Sequence, residues 1–233
     1  MKTIIIGAGE VGRSLCRVLQ EKHEVFLRDV QEENVEGEVD VMNICFPYFR
    51  IFEDEVRRYQ KLYKPKLTII HSTVPVGTSR KLGAVHSPIH GRHPNLAKGI
   101  LTFTKYIGGA RPKDTALARK FLNQAGIKTK VVSSPEASEL SKILCTTYYG
   151  FAILFMKETK RICGKLGISF SEVYNWNQHY NRGYAKLGLH SVIRPILKYK
   201  DGPIGGHCVV PNTKLLNSWL TNTLRKRAVT YNP

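Results

Sequence analysis

The 233-residue sequence has no long hydrophobic run. No stretch of about 18 apolar residues occurs, so we expect no transmembrane helix. The N-terminus enters an apolar, β-branched run directly, which predicts that no signal peptide precedes it. A disulfide framework is also lacking, because the five cysteines are irregularly spaced and contain no C-x-x-C pair. These absences favour a reducing, cytoplasmic location.

Acidic residues are also few. Asp and Glu total 18 against 36 Lys and Arg, which gives a formal net charge of +18 and predicts attraction to anions. The basic residues are spread along the chain, with one short cluster at Arg225-Lys226-Arg227, and no nucleic-acid-binding motif accompanies them. We therefore expect an anionic small-molecule substrate, and neither nucleic acid nor a membrane as partner.

A strand-like run at the N-terminus ends in a glycine-rich turn. Thr3–Ile6 has the β-branched composition of a buried strand, and Leu15 and Leu19 recur at helical spacing after the turn. Between them stands the G-x-G-x-x-G of Gly7-Ala8-Gly9-Glu10-Val11-Gly12. In this strand–turn–helix context the motif predicts a dinucleotide site, because its glycines allow a tight turn, a close approach of the pyrophosphate and close helix packing.

An acidic residue follows the second predicted strand, at the position expected for ribose recognition. The strand Glu24–Leu27 leads into Arg28-Asp29, and Asp29 lies about 20 residues after the turn. A carboxylate there accepts hydrogen bonds from the ribose hydroxyls, which favours NAD over NADP. Arg28 beside it is compatible with a 2′-phosphate, so NADP stays the alternative.

Strands and helices alternate through the first part of the chain, which predicts an α/β fold with a mainly parallel, doubly wound sheet. We predict a Rossmann domain over residues 1–133 and an all-helical domain over 134–233. The helical domain contains one long helix over Pro135–Leu166, where apolar residues recur at intervals of three and four before Gly167. Shorter helices are expected at Ser171–Tyr180 and Asn212–Leu224.

Residues at the ends of two further strands are placed to join the glycine turn. Ligands of such sheets bind at the carboxyl ends of the strands. Phe46-Pro47 closes the predicted strand Val41–Phe46, and Ser72-Thr73 follows the predicted strand Leu67–Ile70. We therefore expect both pairs to contact the cofactor.

Three histidines, His86, His90 and His93, fall in or next to an irregular loop. Their number raises the question of a metal site. Their spacing fits no standard zinc pattern, and the sequence offers no clear carboxylate or thiol partner. We predict no metal.

Four motifs follow one another along most of the chain. They are GAGEVG with Asp29, STVPVGT at Ser72–Thr78, ELSK at Glu139–Lys142 and GPIGGHC at Gly202–Cys208. In the same order they resemble the cofactor turn, the S-T-V-P-x-G-T loop, the E-L-x-K helix and the G-x-G-G-x-C loop of the UDP-glucose/GDP-mannose dehydrogenase family. The resemblance implies a Rossmann domain and a helical domain of the 6-phosphogluconate dehydrogenase type. It also implies NAD-dependent oxidation of a nucleotide-linked sugar alcohol, and a homodimer.

The resemblance implies roles for individual residues. Lys142 would stabilise the reacting oxygen and move protons, Cys208 would attack the aldehyde as a thiolate, and Thr73 would orient water. The residues assigned to the cofactor are Gly7, Gly9, Glu10, Val11, Gly12, Asp29, Phe46, Pro47, Ser72 and Thr73. Those assigned to the substrate are Lys142, Thr146, His90 and Gly205, with Asn212 among the catalytic positions. The other cysteines, Cys16, Cys45, Cys145 and Cys163, are expected in the core.

Three positions depart from the family pattern. Thr146 replaces an asparagine, Asn212 replaces an aspartate, and Ile89-His90 replace a glutamate that directs hydrolysis. The family's third, C-terminal domain is also missing from this sequence. Because losing a proton carrier costs about 10²–10⁴ in rate, we expect the oxidation to be slowed, altered or ended after one hydride transfer. His90 and His93 are hypothetical replacements for the lost acid/base groups or anion contacts.

Two other functions are compatible with these residues. A hydroxy-acid dehydrogenase of the 6-phosphogluconate type shares the two-domain plan and the helix lysine, and would leave Cys208 without a role. A non-catalytic dinucleotide-binding or regulatory protein is supported by the three altered polar positions. It would bind NAD without forming NADH.

Overall fold

The computed structural model describes residues 1–29, 37–91, 94–204 and 208–231. Contacts between Cα atoms divide the chain into two compact units, Met1–Lys142 and Ile143–Pro233. The first unit contains a seven-stranded sheet flanked by helices. The described residues of the second unit form helices and irregular segments. The predicted α/β fold class is thereby confirmed, while the domain boundary at 133/134 stays a prediction.

The sheet is parallel except for one pair of strands. Its order is β2-β1-β3-β4-β5-β6-β7, and only β5 and β6 run antiparallel. The short apolar runs of the sequence form its central strands because both faces of a parallel sheet are covered. The strands are β1 (Lys2–Ile6), β2 (Glu24–Arg28), β3 (Val41–Ile44), β4 (Leu67–Ile70), β5 (Val85–His86), β6 (Lys105–Gly108) and β7 (Thr129–Val132).

Helices cover the two faces of the sheet with separate cores. Successive side chains of β1 point to opposite faces of the sheet. Ile5 lies in the core that contains Leu15 and Phe121, and Ile4 lies in the core that contains Phe52. The first core therefore belongs to α1 and α5, and the second to α2. The helices of this unit are α1 (Glu10–Leu19), α2 (Phe52–Tyr63), α3 (Thr78–Lys81), α4 (Leu96–Thr102) and α5 (Pro112–Gln124).

The second unit is built on the long helix α6 (Pro135–Leu166), whose first turns belong to the first unit. It continues with α7 (Phe170–Lys186), α8 (Val209–Thr213), α9 (Trp219–Ala228) and 3₁₀ turns at His190–Val192 and Val229–Tyr231. A Cβ on Gly150 would lie 2.4 Å from Leu224 and 2.6 Å from Val209, so this glycine lets α8 and α9 pack closely on α6. Neither α6 nor any other helix within the described ranges is apolar enough over a membrane-spanning length.

The predicted helix over Asn212–Leu224 is wrong. The chain forms two helices there, α8 and α9, because Ser218 caps the start of the second. The Ser218 hydroxyl accepts the N–H of Thr221 at 3.2 Å, and the Thr221 hydroxyl accepts the N–H of Ser218 at 3.2 Å. This reciprocal capping box starts a new helix rather than continuing the old one.

Candidate functional site

The space around three glycines explains the turn between β1 and α1. Gly7 has a φ of +105°, which side chains rarely adopt, and a Cβ on it would lie 2.8 Å from the backbone nitrogen of Phe46. A Cβ on Gly12 would lie 1.9 Å from the carbonyl oxygen of Gly7. A Cβ on Gly9, in contrast, would meet nothing within 4 Å. The fold therefore requires Gly7 and Gly12, whereas Gly9 leaves open space where phosphates can reach the N–H groups of α1.

The end of β2 carries a carboxylate and a guanidinium in different environments. Asp29 is half-buried directly after the strand. Arg28 is buried, and its guanidinium donates to the hydroxyl of Tyr63 at 2.6 Å and lies 5.1 Å from the ring centroid of Tyr59. These contacts hold Arg28 against α2, and its compatibility with a 2′-phosphate stays a prediction. The role of Asp29 and the preference for NAD stay predictions.

A path of hydrogen bonds crosses the carboxyl edge of the sheet. The hydroxyl of Ser72 donates to the carbonyl oxygen of Phe46 at 2.6 Å. The carbonyl oxygen of Ser72 accepts from Nε2 of His86 at 3.1 Å, and Nδ1 of His86 accepts from the hydroxyl of Ser138 at 2.8 Å. Burial lowers the pKa of His86 to about 3, so its imidazole is neutral and fits one donor and one acceptor role. Because Phe46 also lies against Gly7, the path joins the glycine turn to the first turns of α6.

A buried carboxylate on α6 holds the loop that follows β4. Glu139 accepts the N–H of Gly77 at 2.6 Å and the N–H of Ser79 at 2.7 Å. Burial raises the pKa of the Glu139 carboxyl. Sequence analysis assigned no role to Glu139, because its partners lie 62 and 60 residues earlier in the chain. The structure shows that it fixes α6 to the loop containing Ser72 and Thr73.

The amine of Lys142 is held by a carbonyl group of the loop that follows β5. Lys142 is half-buried, and its Nζ donates to the carbonyl oxygen of Ile89 at 2.8 Å. The neighbouring His90 is also half-buried and meets the ring of Tyr106 edge-on, with centroids 6.0 Å apart. Burial, together with the charges of Lys142 and Lys105, lowers the pKa of His90 to about 4. At neutral pH His90 is therefore an uncharged imidazole, and its low pKa makes it a weak proton acceptor.

The other predicted cofactor residues follow neighbouring strands. Glu10 and Val11 come after β1, Pro47 after β3 and Thr73 after β4, and these three strands are adjacent in the sheet. The structure thus brings them to one edge, together with Ser72 and Phe46. Their contact with a cofactor stays a prediction.

Two residues of the predicted site, Gly205 and His93, lie outside the described residues. Among the residues that the structure does describe, no group of three or more His, Cys, Asp or Glu is arranged to hold a metal ion. His86 instead uses both ring nitrogens in hydrogen bonds within the protein.

The buried histidines predict a loss of stability in acid. The folded-state pKa values of His86 and His90, about 3 and about 4, lie below the ordinary 6.5. The unfolded chain therefore binds more protons below pH 6.5, and stability falls as the pH drops through the folded-state values. At pH 5 we expect a loss of about 2 kcal/mol from His86, and less from the more exposed His90.

Urea unfolding measured from pH 7 to pH 4 checks this expectation. In acid, unfolding of the variant His86→Gln should take up about one proton fewer than unfolding of the wild type. His190→Gln, at an exposed position, is the matched control and should leave the pH dependence as in the wild type. An identical pH dependence for wild type and His86→Gln would contradict the burial of a neutral His86.

In the second unit, two residues that depart from the family pattern contact one another. Nδ2 of Asn212 donates to the hydroxyl of Thr146 at 3.3 Å, and that hydroxyl donates to the carbonyl oxygen of Ile143 at 2.9 Å. The Asn212 amide is thus engaged with α6. Cys208 stands at the N-terminal cap of α8 and is exposed.

The remaining cysteines divide between core and surface. Cys45 and Cys163 are buried and Cys16 is half-buried. Burial raises the pKa of the Cys45 thiol to about 12, so it stays protonated. The predicted core position of Cys145 is wrong, since it is exposed. At about 100° per residue, it lies roughly 200° around α6 from the buried Ile143.

The fold is similar to that of solved dehydrogenase structures. No protein-family profile and no curated protein matches the chain. A UDP-D-ManNAc dehydrogenase from Pyrococcus horikoshii matches 99% of the chain, over 69% of its own length, with a TM-score of 0.82 and 16% identity. A GDP-mannose dehydrogenase from Pseudomonas aeruginosa matches 99% of the chain, over 69% of its own length, with a TM-score of 0.65 and 15% identity.

A second kind of dehydrogenase is similar as well. The 3-hydroxyisobutyrate dehydrogenase from Mycobacterium tuberculosis matches 99% of the chain, over 94% of its own length, with a TM-score of 0.70 and 17% identity. The structural neighbours are therefore dehydrogenases of sugar nucleotides and of a hydroxy acid. Over the length that it spans, the chain has the fold of the nucleotide-sugar dehydrogenases, as its four motifs predicted.

Proposed function

We propose that this protein is an NAD-dependent dehydrogenase that oxidises a sugar alcohol linked to a nucleotide. The observation that carries the proposal is the hydrogen-bonded path from Phe46, which packs against Gly7 of the glycine turn, through Ser72 and His86 to Ser138 on α6. Lys142 follows Ser138 by one helical turn. A dinucleotide bound at the glycine turn would therefore extend along the same sheet edge towards an amine.

The residues of this edge fit NAD. Gly9 offers open space at the start of α1 for a pyrophosphate, and Asp29 offers a carboxylate for ribose hydroxyls. NAD, when bound, accepts the hydride that leaves the carbinol carbon. The formal net charge of +18 favours an anionic substrate.

Lys142 supplies the chemistry of the first step. Its amine hydrogen-bonds to the substrate oxygen and stabilises the negative charge that develops there as the hydride leaves. The hydroxyl proton passes to the amine or to water. The bond to the Ile89 carbonyl holds the amine at the sheet edge, where the substrate oxygen would accept a hydrogen bond from it.

Cys208 is proposed to carry the second oxidation. Its exposed thiol, as a thiolate, would add to the aldehyde carbon, and transfer of a second hydride to a second molecule of NAD would leave a thioester that water cleaves. Asn212 cannot take up a proton, and its amide is engaged with Thr146, so we expect this second stage to be the slow one.

The variant Cys208→Ser separates the candidate reactions. For a nucleotide-sugar dehydrogenase, acid formation should stop because serine is a far weaker nucleophile, and the aldehyde should remain the product. For a hydroxy-acid dehydrogenase, favoured by the 94% coverage of the 3-hydroxyisobutyrate enzyme, turnover should continue unchanged. The measurement is NADH absorbance with product analysis across UDP-sugars, GDP-sugars and free hydroxy acids. NAD binding without NADH on the whole panel would leave only a non-catalytic dinucleotide-binding protein.

We also propose that the chain forms a homodimer. Large apolar side chains are exposed along α6, namely Tyr148 (64%), Phe155 (59%), Ile162 (49%) and Leu166 (66%). Their spacing puts them on one stripe of the helix, which a second copy would cover. Light scattering should give the mass of two chains. A cytoplasmic location stays a prediction.

A further inference from the structure

A second lysine lies buried beside the candidate site. Lys105, the first residue of β6, has only 3% of its surface exposed. Lysine is almost never fully buried, because removing the ammonium from water is costly. Burial accordingly lowers the pKa of Lys105 well below its ordinary value, and the charge of Lys142 lowers it further. Because burying this amine is unfavourable, the contacts that it makes indicate the role of Lys105.

The Lys105 amine holds the loop that follows β5. Its Nζ donates to the carbonyl oxygen of Ser87 at 2.5 Å and to that of Pro88 at 2.9 Å. The next carbonyl along the chain, that of Ile89, accepts the amine of Lys142 at 2.8 Å. Three consecutive carbonyl groups are thus held by two lysines, one buried and one at the site.

The same loop is anchored to the sheet on its other side. The N–H of Ser87 donates to the carbonyl oxygen of Ile70 at 2.9 Å, and the hydroxyl of Ser87 donates to the backbone carbonyl oxygen of Tyr106 at 2.8 Å. Nδ1 of His71 also faces the Ser87 carbonyl at 2.8 Å. Ser87 is therefore fixed even without Lys105. The N–H of Ile89 donates to the carbonyl oxygen of His71 at a longer 3.4 Å, and the intervening Pro88 carbonyl is held by Lys105.

We propose that Lys105 is a positioning residue for Lys142. By holding the carbonyl groups of Ser87 and Pro88, it sets the direction of the Ile89 carbonyl and thereby the place of the Lys142 amine. The role of Lys142 in turnover rests on the proposed dehydrogenase function. The coupling between the two lysines is a property of the loop and is tested separately.

The test replaces Lys105 by methionine, which keeps the length of the side chain and removes its donors. The Lys142 amine should then react about fivefold faster with trinitrobenzenesulfonate, because its contact with the Ile89 carbonyl is displaced, whereas the exposed Lys165 of the same helix should react as before. Peptide mass spectrometry gives both rates. If a substrate is found, kcat should fall by about 10²-fold while the KM for NAD changes little, since a misplaced catalytic group costs about that factor.

Two further variants make the outcome decisive. Lys105→Gln keeps an N–H donor and should give labelling and kcat values between those of wild type and Lys105→Met. Lys130→Met, an exposed lysine on the neighbouring strand β7, should behave as the wild type. Unchanged Lys142 labelling in folded Lys105→Met and Lys105→Gln would overturn the proposal, as would equal acceleration at Lys165. If no substrate yields NADH, the proposed function fails, and the labelling still decides the positioning role.

Discussion

Replacing Lys142 by methionine should lower the rate of NADH formation by about 10²–10⁴-fold, the range expected for loss of a group that stabilises charge and moves a proton. The amine is the group that the Ile89 carbonyl holds at the carboxyl edge of the sheet. Methionine retains the bulk of the side chain but donates no hydrogen bond. NAD affinity should change little, since the glycine turn is untouched.

The matched control is Lys165→Met, an exposed lysine in the last turn of the same helix. This variant should form NADH at the wild-type rate. The rates are followed by NADH absorbance and the NAD affinity by calorimetry. A Lys142→Met protein that forms NADH at the wild-type rate would exclude Lys142 from the reaction.

Two glycines of the same turn should respond in opposite ways to alanine. In Gly12→Ala the new Cβ would lie 1.9 Å from the Gly7 carbonyl oxygen, so backbone must shift between β1 and α1. Overpacking of this kind costs about 1–3 kcal/mol and occasionally more, and we expect the upper part of that range because backbone is the neighbour. Gly9→Ala meets nothing within 4 Å and should unfold at the wild-type temperature.

Gly9→Ala, the variant that should fold as stably as the wild type, should nevertheless bind NAD more weakly. Gly9→Ala places a methyl group in the open space that we assign to the pyrophosphate, so the NAD dissociation constant should rise by at least about tenfold, equivalent to about 1.4 kcal/mol. Thermal unfolding with and without NAD measures both effects on the same protein. A Gly9→Ala protein that binds NAD as tightly as the wild type would place the pyrophosphate elsewhere.

The strands were the part of the fold most directly predictable from the sequence. β4 has the bounds expected from its apolar run, because such runs suit a pleated sheet covered on both faces. The break between α8 and α9 was missed. It depends on two hydroxyl groups, those of Ser218 and Thr221, capping each other, and these are individually ordinary residues.

The polar framework of the candidate site was the least predictable part. Its donors and acceptors come from segments far apart in sequence, such as Glu139 with Gly77, 62 residues away. Motifs identified Ser72 and Lys142, whereas His86, Ser138 and Lys105 carried no recognisable signal. A lysine in a strand is normally solvent-exposed, so the burial of Lys105 emerges only from the packed fold.

A crystal structure of the complex with NAD tests the central claim most directly. We expect the pyrophosphate to lie on the backbone at Gly9, the adenosine ribose at Asp29, and the nicotinamide ring beside Ser72 within reach of the Lys142 amine. NAD bound away from the glycine turn, or with its nicotinamide directed away from Lys142, would contradict the account.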